Sequence, residues 1–129
     1  MSQSKSYRCS ATTYPQLITS TKKWLTTEGF NSQQLQVEDG GILIQIEKTA
    51  KWKKFVGMNT ALNIVFREVN GQINVEIGAG KWADKAAVGA LSIVVLWPLA
   101  LTASMGAWQQ AKMPERIFSY IAEYLANNN

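Results

Sequence analysis

Four short segments in the middle of the chain alternate apolar with polar residues. They are residues 34–38, 42–47, 62–67 and 72–77. A period of two is typical of β-strands that have one apolar and one polar face. Asp39-Gly40-Gly41 is a turn signal, and Asn70-Gly71 fits a type I′ turn, in which both central residues need a positive φ. The pattern predicts two β-hairpins that form a four-stranded, antiparallel sheet.

A helix is predicted before the first of these strands. Its apolar residues share one face at helical spacing, and they are Leu17, Ile18, Trp24 and Leu25. Thr13 and Gln16 have the spacing of a capping box, and Gly29 is a good stop because the residue just past a helix often needs a positive φ. This helix is expected to cover the apolar face of the sheet.

The longest apolar stretch of the chain follows the last strand. Residues 86–111 contain no Asp, Glu, Lys or Arg over 26 positions. As one helix the part from Ala86 to Trp108 would reach roughly 34 Å, enough to cross a hydrocarbon core of about 30 Å. The residues predicted to contact a membrane are Trp82, Leu91, Ile93, Val94, Val95, Leu96, Trp97, Pro98, Leu99, Leu101 and Trp108.

Three arrangements of this stretch are open. Pro98 at its midpoint allows a single kinked transmembrane helix, because proline kinks a helix. A re-entrant helical hairpin is the second arrangement, favoured by cations at both ends, since positive residues stay on the cytoplasmic side. Burial of a helix pair in a soluble protein or dimer is the third, since Ser92 and Thr102 dilute the run.

An amphipathic helix is predicted after Met113-Pro114. Its apolar face comprises Ile117, Ile121, Tyr124 and Leu125. We expect this helix to pack on the folded unit formed by the first helix and the sheet. The alternative is that it lies on a membrane surface. The whole pattern predicts an α+β protein with a flexible arm at 1–12, an α/β head at 13–80 and a helical C-terminal segment at 81–129.

A basic segment with interleaved aromatic residues lies between the two hairpins. Its candidate contacts to an anionic surface are Lys48, Lys51, Trp52, Lys53 and Lys54. Such a segment can bind anionic lipid or single-stranded nucleic acid. It can equally be a solvated loop with Trp52 in the core. Lipid headgroups are the preferred target if the neighbouring stretch is membrane-embedded.

The amino-acid composition excludes several classes of catalytic mechanism. The 129 residues contain no His and a single Cys, Cys9, so the chain cannot supply a Ser-His-Asp or Cys-His mechanism. Neither a metal cluster nor a cofactor motif is evident, and Gly78-Ala79-Gly80-Lys81 lacks the spacing of a phosphate loop. A net charge of +4 is below the density of a dedicated nucleic-acid binder, so nucleic acid is not an expected partner. We therefore expect no enzymatic activity and no cofactor.

Part of the sequence resembles a known group of proteins. The segments GKWADKAAVGA and LWPLALTASMGAWQQAKMPERI are similar to those of small uncharacterised bacterial proteins. In that group a short α/β head precedes an apolar segment, and some members add a zinc ribbon. This chain has no cysteine pairs, so the resemblance implies the grouping without the zinc module and without a known activity.

These observations favour a non-enzymatic, membrane-associated interaction or anchoring protein. Its expected partners are a lipid bilayer and an unknown protein or a second copy of itself. The N-terminal residues form no apolar run, so no cleaved signal is predicted and the head is expected to face the cytoplasm. The alternatives are a soluble carrier of a lipid or other hydrophobic ligand, and a soluble subunit that buries residues 86–111 against partner chains.

Overall fold

In the described part of the chain, the fold is a five-stranded antiparallel sheet with two helices. The structure, a computed structural model, describes residues 3–37, 40–48, 60–81 and 112–128. Its elements are β1 (Gln3–Arg8), α1 (Thr13–Thr27), β2 (Phe30–Gln36), β3 (Ile42–Lys48), β4 (Thr60–Val69), β5 (Gln72–Lys81) and α2 (Met113–Asn128). The strand order is β1-β5-β4-β3-β2.

The two predicted hairpins are present. β2 pairs with β3, β4 pairs with β5, and β3 joins the two hairpins by pairing with β4. The turn between β4 and β5 has φ values of 53° at Asn70 and 81° at Gly71. Both values are positive, as a type I′ turn requires, so this part of the sequence interpretation is confirmed.

The prediction of a four-stranded sheet is wrong, because residues 3–8 of the predicted flexible arm form a fifth strand. β1 pairs with β5 along its whole length, from Gln3 opposite Ile77 to Arg8 opposite Gln72. All its side chains are exposed except the half-buried Tyr7. Because β1 is an edge strand that buries little, its sequence carries no apolar alternation that would reveal it.

Helix α1 is capped differently from the prediction at its start and ends as predicted. The predicted cap residue Thr13 is the first helical residue, and the Ser10 hydroxyl instead accepts its N–H at 3.2 Å. The Ser10 carbonyl also accepts the N–H groups of Thr13 and Tyr14. At the other end Gly29 has a φ of 96°, as predicted for a residue just past a helix.

Both helices lie on one face of the sheet and share a single core with it. Leu17 and Leu25 of α1 are completely buried, as are Ile117 and Ile121 of α2. They belong to one cluster with the apolar residues of β3, β4 and β5, which include Ile44, Ile46, Leu62, Ile64, Phe66, Ile73, Val75 and Ile77. The predicted C-terminal helix is therefore present and completes the core.

The prediction of a transmembrane helix or a helical hairpin is corrected by the structure. The described residues contain only α1 and α2, and neither helix is long and apolar enough to cross a membrane. The stretch 86–111 for which those arrangements were predicted lies outside the described residues. The apolar residues of the described helices are used in the core of the sheet instead.

Candidate functional site

Nearly all residues predicted to contact a membrane or an anionic surface fall outside the described ranges. Those outside are Lys51, Trp52, Lys53, Lys54, Trp82, Leu91, Ile93, Val94, Val95, Leu96, Trp97, Pro98, Leu99, Leu101 and Trp108. Lys48 is the last residue of β3, where its backbone lies opposite Phe30. For the basic segment and the apolar stretch, the structure therefore describes the strand and helix ends at which they join the fold.

Both attachment points of the apolar stretch belong to the same folded unit. β5 ends at Lys81, opposite Thr60 of β4, and α2 begins at Met113. Met113 is fully buried and lies in the same apolar cluster as Ile77. The intervening chain thus starts and finishes on one unit. A single passage through a bilayer needs its two ends on opposite sides, so this geometry does not fit a single span.

A stack of aromatic side chains covers the contact between the two helices. The rings of Trp24 and Tyr120 are parallel within 5°, with centroids 4.4 Å apart. Tyr124 continues the stack at 6.3 Å from Tyr120, and the Arg116 guanidinium lies 5.8 Å from the centre of the Trp24 ring. Arg116 also forms an ion pair with Glu28. All three aromatic residues are half-buried, so the stack is partly accessible to solvent.

Hydrogen bonds between α1 and α2 fix this aromatic stack. The Tyr120 hydroxyl is hydrogen-bonded to the Ser20 hydroxyl and donates to the Ser20 carbonyl at 3.3 Å. Two surface clefts flank the stack, with volumes of about 430 and 510 Å³. Sequence reasoning placed Trp24 on the core face but did not connect it with Tyr120. The only sequence signal was the four-residue spacing of Tyr120 and Tyr124, which places them on one side of α2.

The second face of the sheet, opposite the helices, carries a row of buried amides. The Gln33 Nε2 donates to the Gln45 Oε1 at 2.8 Å, and the Gln45 Nε2 donates to the Asn63 Oδ1 at 2.9 Å. These three side chains are adjacent across β2, β3 and β4, and each is at most 6% exposed. Amides satisfy one another in this way because each is both a donor and an acceptor.

An apolar cluster lies beside the amide row on the same face. Leu43 and Val65, opposite one another on β3 and β4, are buried together with Val37, and Leu35 packs against them. The alternating sequence pattern predicted that the face of the sheet opposite the helices is polar. This half of the face is instead buried within the chain itself, with Leu43 and Val65 at most 1% exposed. The Gln33 Oε1 is a buried acceptor that receives no hydrogen bond from the described residues.

Two side chains whose pKa is raised by burial, Cys9 and Tyr14, lie at the loop that joins β1 to α1. Burial, with a smaller effect of Glu68, raises the pKa of the Cys9 thiol, so the thiolate is disfavoured. Burial is also the main cause that raises the pKa of Tyr14 to about 12, with Glu68 and Cys9 adding to it. The Tyr14 hydroxyl donates to the Phe66 carbonyl at 3.3 Å. Cys9, expected in a loose arm, is therefore a buried core residue.

Metal ligands do not gather within the described ranges. No group of three or more His, Cys, Asp or Glu side chains that could hold a metal ion occurs in this part of the chain. The aromatic stack between the helices is the half-buried aromatic feature of the described surface, and a further cleft of about 530 Å³ lies beside the β4–β5 turn.

Comparison with known proteins yields no relative. No protein-family model, no curated protein and no solved structure matches the chain. The resemblance to a group of small bacterial proteins therefore stays a prediction.

Proposed function

We propose that the protein is a non-enzymatic interaction protein that associates with a membrane surface through its uncharged stretch at 86–111. The α+β unit stays outside the lipid and serves as the platform for a protein partner. The observation that carries the proposal is the attachment of both ends of this stretch to one core, through β5 and α2. A segment held at both ends stays next to the folded unit, so its contact with lipid would bring that unit to the membrane surface.

The residues that flank the uncharged stretch support its proposed association with a membrane. Trp82 and Trp108 stand near the two ends of the uncharged stretch, and tryptophan is favoured at the membrane–water interface. Lys81 and Lys85 precede the stretch and Lys112 follows it. Each cation near an anionic leaflet contributes about 1 kcal/mol to membrane binding. The apolar and the electrostatic contributions would therefore act at the same place.

Flotation of the full-length protein with liposomes tests the proposal. We expect the protein to float with the lipid, and to remain bound at high salt because apolar insertion is not screened as ion pairs are. The double variant Val94→Arg/Leu101→Arg should lose most of this binding. An arginine costs about 2.5–3.5 kcal/mol at the centre of a bilayer and less near its surface.

A matched control separates the position of the new charges from their number. Ser119→Arg/Ala126→Arg adds the same two charges at exposed positions of α2, and it should float as the parent protein does. Equal flotation of the parent and the Val94/Leu101 variant would refute the proposal. So would a parent protein that stays in the lipid-free fraction.

The second sheet face favours a rival function. Leu43, Val65 and the amide row lie on the face opposite α1 and α2 and are nevertheless at most 6% exposed within the single chain. A sheet that is buried on both faces is typical of the folded core of a soluble protein. This supports a soluble subunit or carrier that keeps residues 86–111 away from water by contact with a partner chain or a hydrophobic ligand. In that case the full-length protein purifies without detergent, and the Val94/Leu101 variant aggregates even in the absence of lipid.

A further inference from the structure

We infer that β2 is a self-pairing edge, at which two copies of the chain join their sheets in antiparallel fashion. The inference rests on the backbone and the charges of β2 alone, and it is independent of the membrane proposal. Among the described residues, β2 is one of the two edges of the sheet, with β3 as its neighbour. The second edge is β1.

The hydrogen bonds at the end of β2 show which of its backbone groups point outwards. The Val37 N–H donates to the Gly41 carbonyl at 2.8 Å, in the direction of β3. Backbone groups of successive residues in an antiparallel strand point to opposite sides. Ser32, Gln34 and Gln36 are out of phase with Val37, so their N–H and C=O groups point away from β3. Their side chains do not block the edge, because Gln34 and Gln36 are exposed and Ser32 is half-buried.

The two edges of the sheet differ in their protection against pairing. Proteins guard exposed edges with charged residues, proline or bulges. β1 carries Lys5 and Arg8, which would face like charges in a second copy. Residues 30–37 contain neither a charged residue nor proline. β2 therefore lacks the charged residues that protect the other edge strand, β1, although the chain as a whole carries a net charge of +4.

The residues of β2 fit a two-fold axis through Gln34. In this register Gln34 lies opposite Gln34 of the second copy, and Ser32 lies opposite Gln36. All three have outward-pointing backbone groups, so each of the three resulting pairs exchanges two hydrogen bonds. Two identical glutamines can satisfy each other because an amide donates and accepts. The same chemistry already joins Gln33 and Gln45 within the sheet at 2.8 Å.

Disulfide cross-linking of the full-length protein tests this register. In a Cys9→Ala background, Gln34→Cys should form a covalent dimer under mild oxidation, because directly opposite residues have Cα atoms about 5.5 Å apart. Ser32→Cys alone should not cross-link, since two copies of Ser32 would be offset by four residues, or about 14 Å. The double variant Ser32→Cys/Gln36→Cys should cross-link again.

Two cross-linking results would contradict the proposed pairing of β2 with a second copy. A Gln34→Cys protein that stays monomeric under oxidation overturns the inference. So does a control, Ser4→Cys on the exposed β1 edge, that cross-links as readily as Gln34→Cys, since this would indicate random collision.

A charge introduced on the axis provides a second measurement. Light scattering of the full-length protein in mild detergent should give the mass of a dimer. Gln34→Lys places two lysines opposite each other and should weaken the dimer by about tenfold or more. Ser4→Lys adds the same charge on the β1 edge and should leave the mass unchanged. Circular dichroism checks that both variants remain folded.

A monomeric parent, or a Gln34→Lys dimer as stable as the parent, overturns the inference. The result is separable from the membrane proposal, because cross-linking through Gln34 does not depend on whether the protein floats with liposomes.

Discussion

Replacement of Gly71 by valine probes the turn on which the central hairpin depends. Gly71 has a φ of 81°, and valine resists a positive φ because of its branched Cβ. A Cβ added at this position meets no heavy atom within 4 Å. The cost is therefore conformational and not a clash, and we expect about 2 kcal/mol of lost stability for valine and about 1 kcal/mol for alanine.

The effect should extend beyond the turn itself. The Gly71 carbonyl accepts the Cys9 N–H at 2.9 Å, and this bond lies at the end of the β1–β5 pairing. A shift of the Gly71 backbone would loosen the attachment of β1 to the sheet. Hydrogen exchange of the Tyr7 and Cys9 amides should therefore become faster in Gly71→Val than in the parent.

Urea unfolding of the full-length protein, followed by circular dichroism, measures the loss. Thermal unfolding gives a second measure, because for a chain of this size a loss of about 1 kcal/mol lowers the melting temperature by roughly 3–6 °C. Gln72→Val is the matched control, because the exposed residue 72 already lies in β5, where valine is favoured. A Gly71→Val protein within about 0.5 kcal/mol of the parent would refute the assigned turn geometry.

Three further measurements address the helices and the sheet. A double-mutant cycle of Trp24→Ala and Tyr120→Ala should give a coupling of about 0.5–1.5 kcal/mol for the stacked rings, and additive losses would contradict that contact. The raised pKa of Tyr14, about 12, stabilises the fold below pH 10, and this contribution is lost as the pH rises towards 12 because the unfolded chain releases the proton first. Tyr14→Phe should flatten that alkaline loss in pH-dependent unfolding, and an unchanged slope would speak against this assignment. Gln45→Leu breaks two buried amide hydrogen bonds and should cost about 2–4 kcal/mol in urea unfolding, and a neutral change would contradict the amide row.

Local chemistry was sufficient to predict the central part of the fold. The alternation in residues 62–67 and 72–77 and the Asn70-Gly71 step specify a hairpin whose strands and turn are adjacent in sequence. The stop at Gly29 is equally local, because it depends on the φ of one residue. The C-terminal helix is visible from Ile117 and Ile121, which recur at helical spacing and are both buried.

The candidate sites were predicted less completely. The membrane and basic residues were identified from hydropathy and charge, and their function remains a proposal. The aromatic stack was missed because Trp24 and Tyr120 are distant in sequence and meet only when α2 packs beside α1. The position of β2 at an edge of the described sheet could not be recognised before the strand order was known, since the same uncharged sequence could equally form a central strand.

The sequence by itself determined what depends on neighbours along the chain: the two hairpins, the helix stop and the apolar faces. The tertiary structure alone decided that the polar segment 3–8 is a strand, because its pairing with β5 comes from backbone hydrogen bonds, which any side chains can accompany. It also decided that Gln45 and Asn63, on the nominally polar side of their strands, are buried. Their burial is tolerable because the pairing of β3 with β4 places the two amides opposite each other, where they form a hydrogen bond. Pairings between residues far apart in sequence leave no periodic signal, and for that reason they appear only in the folded chain.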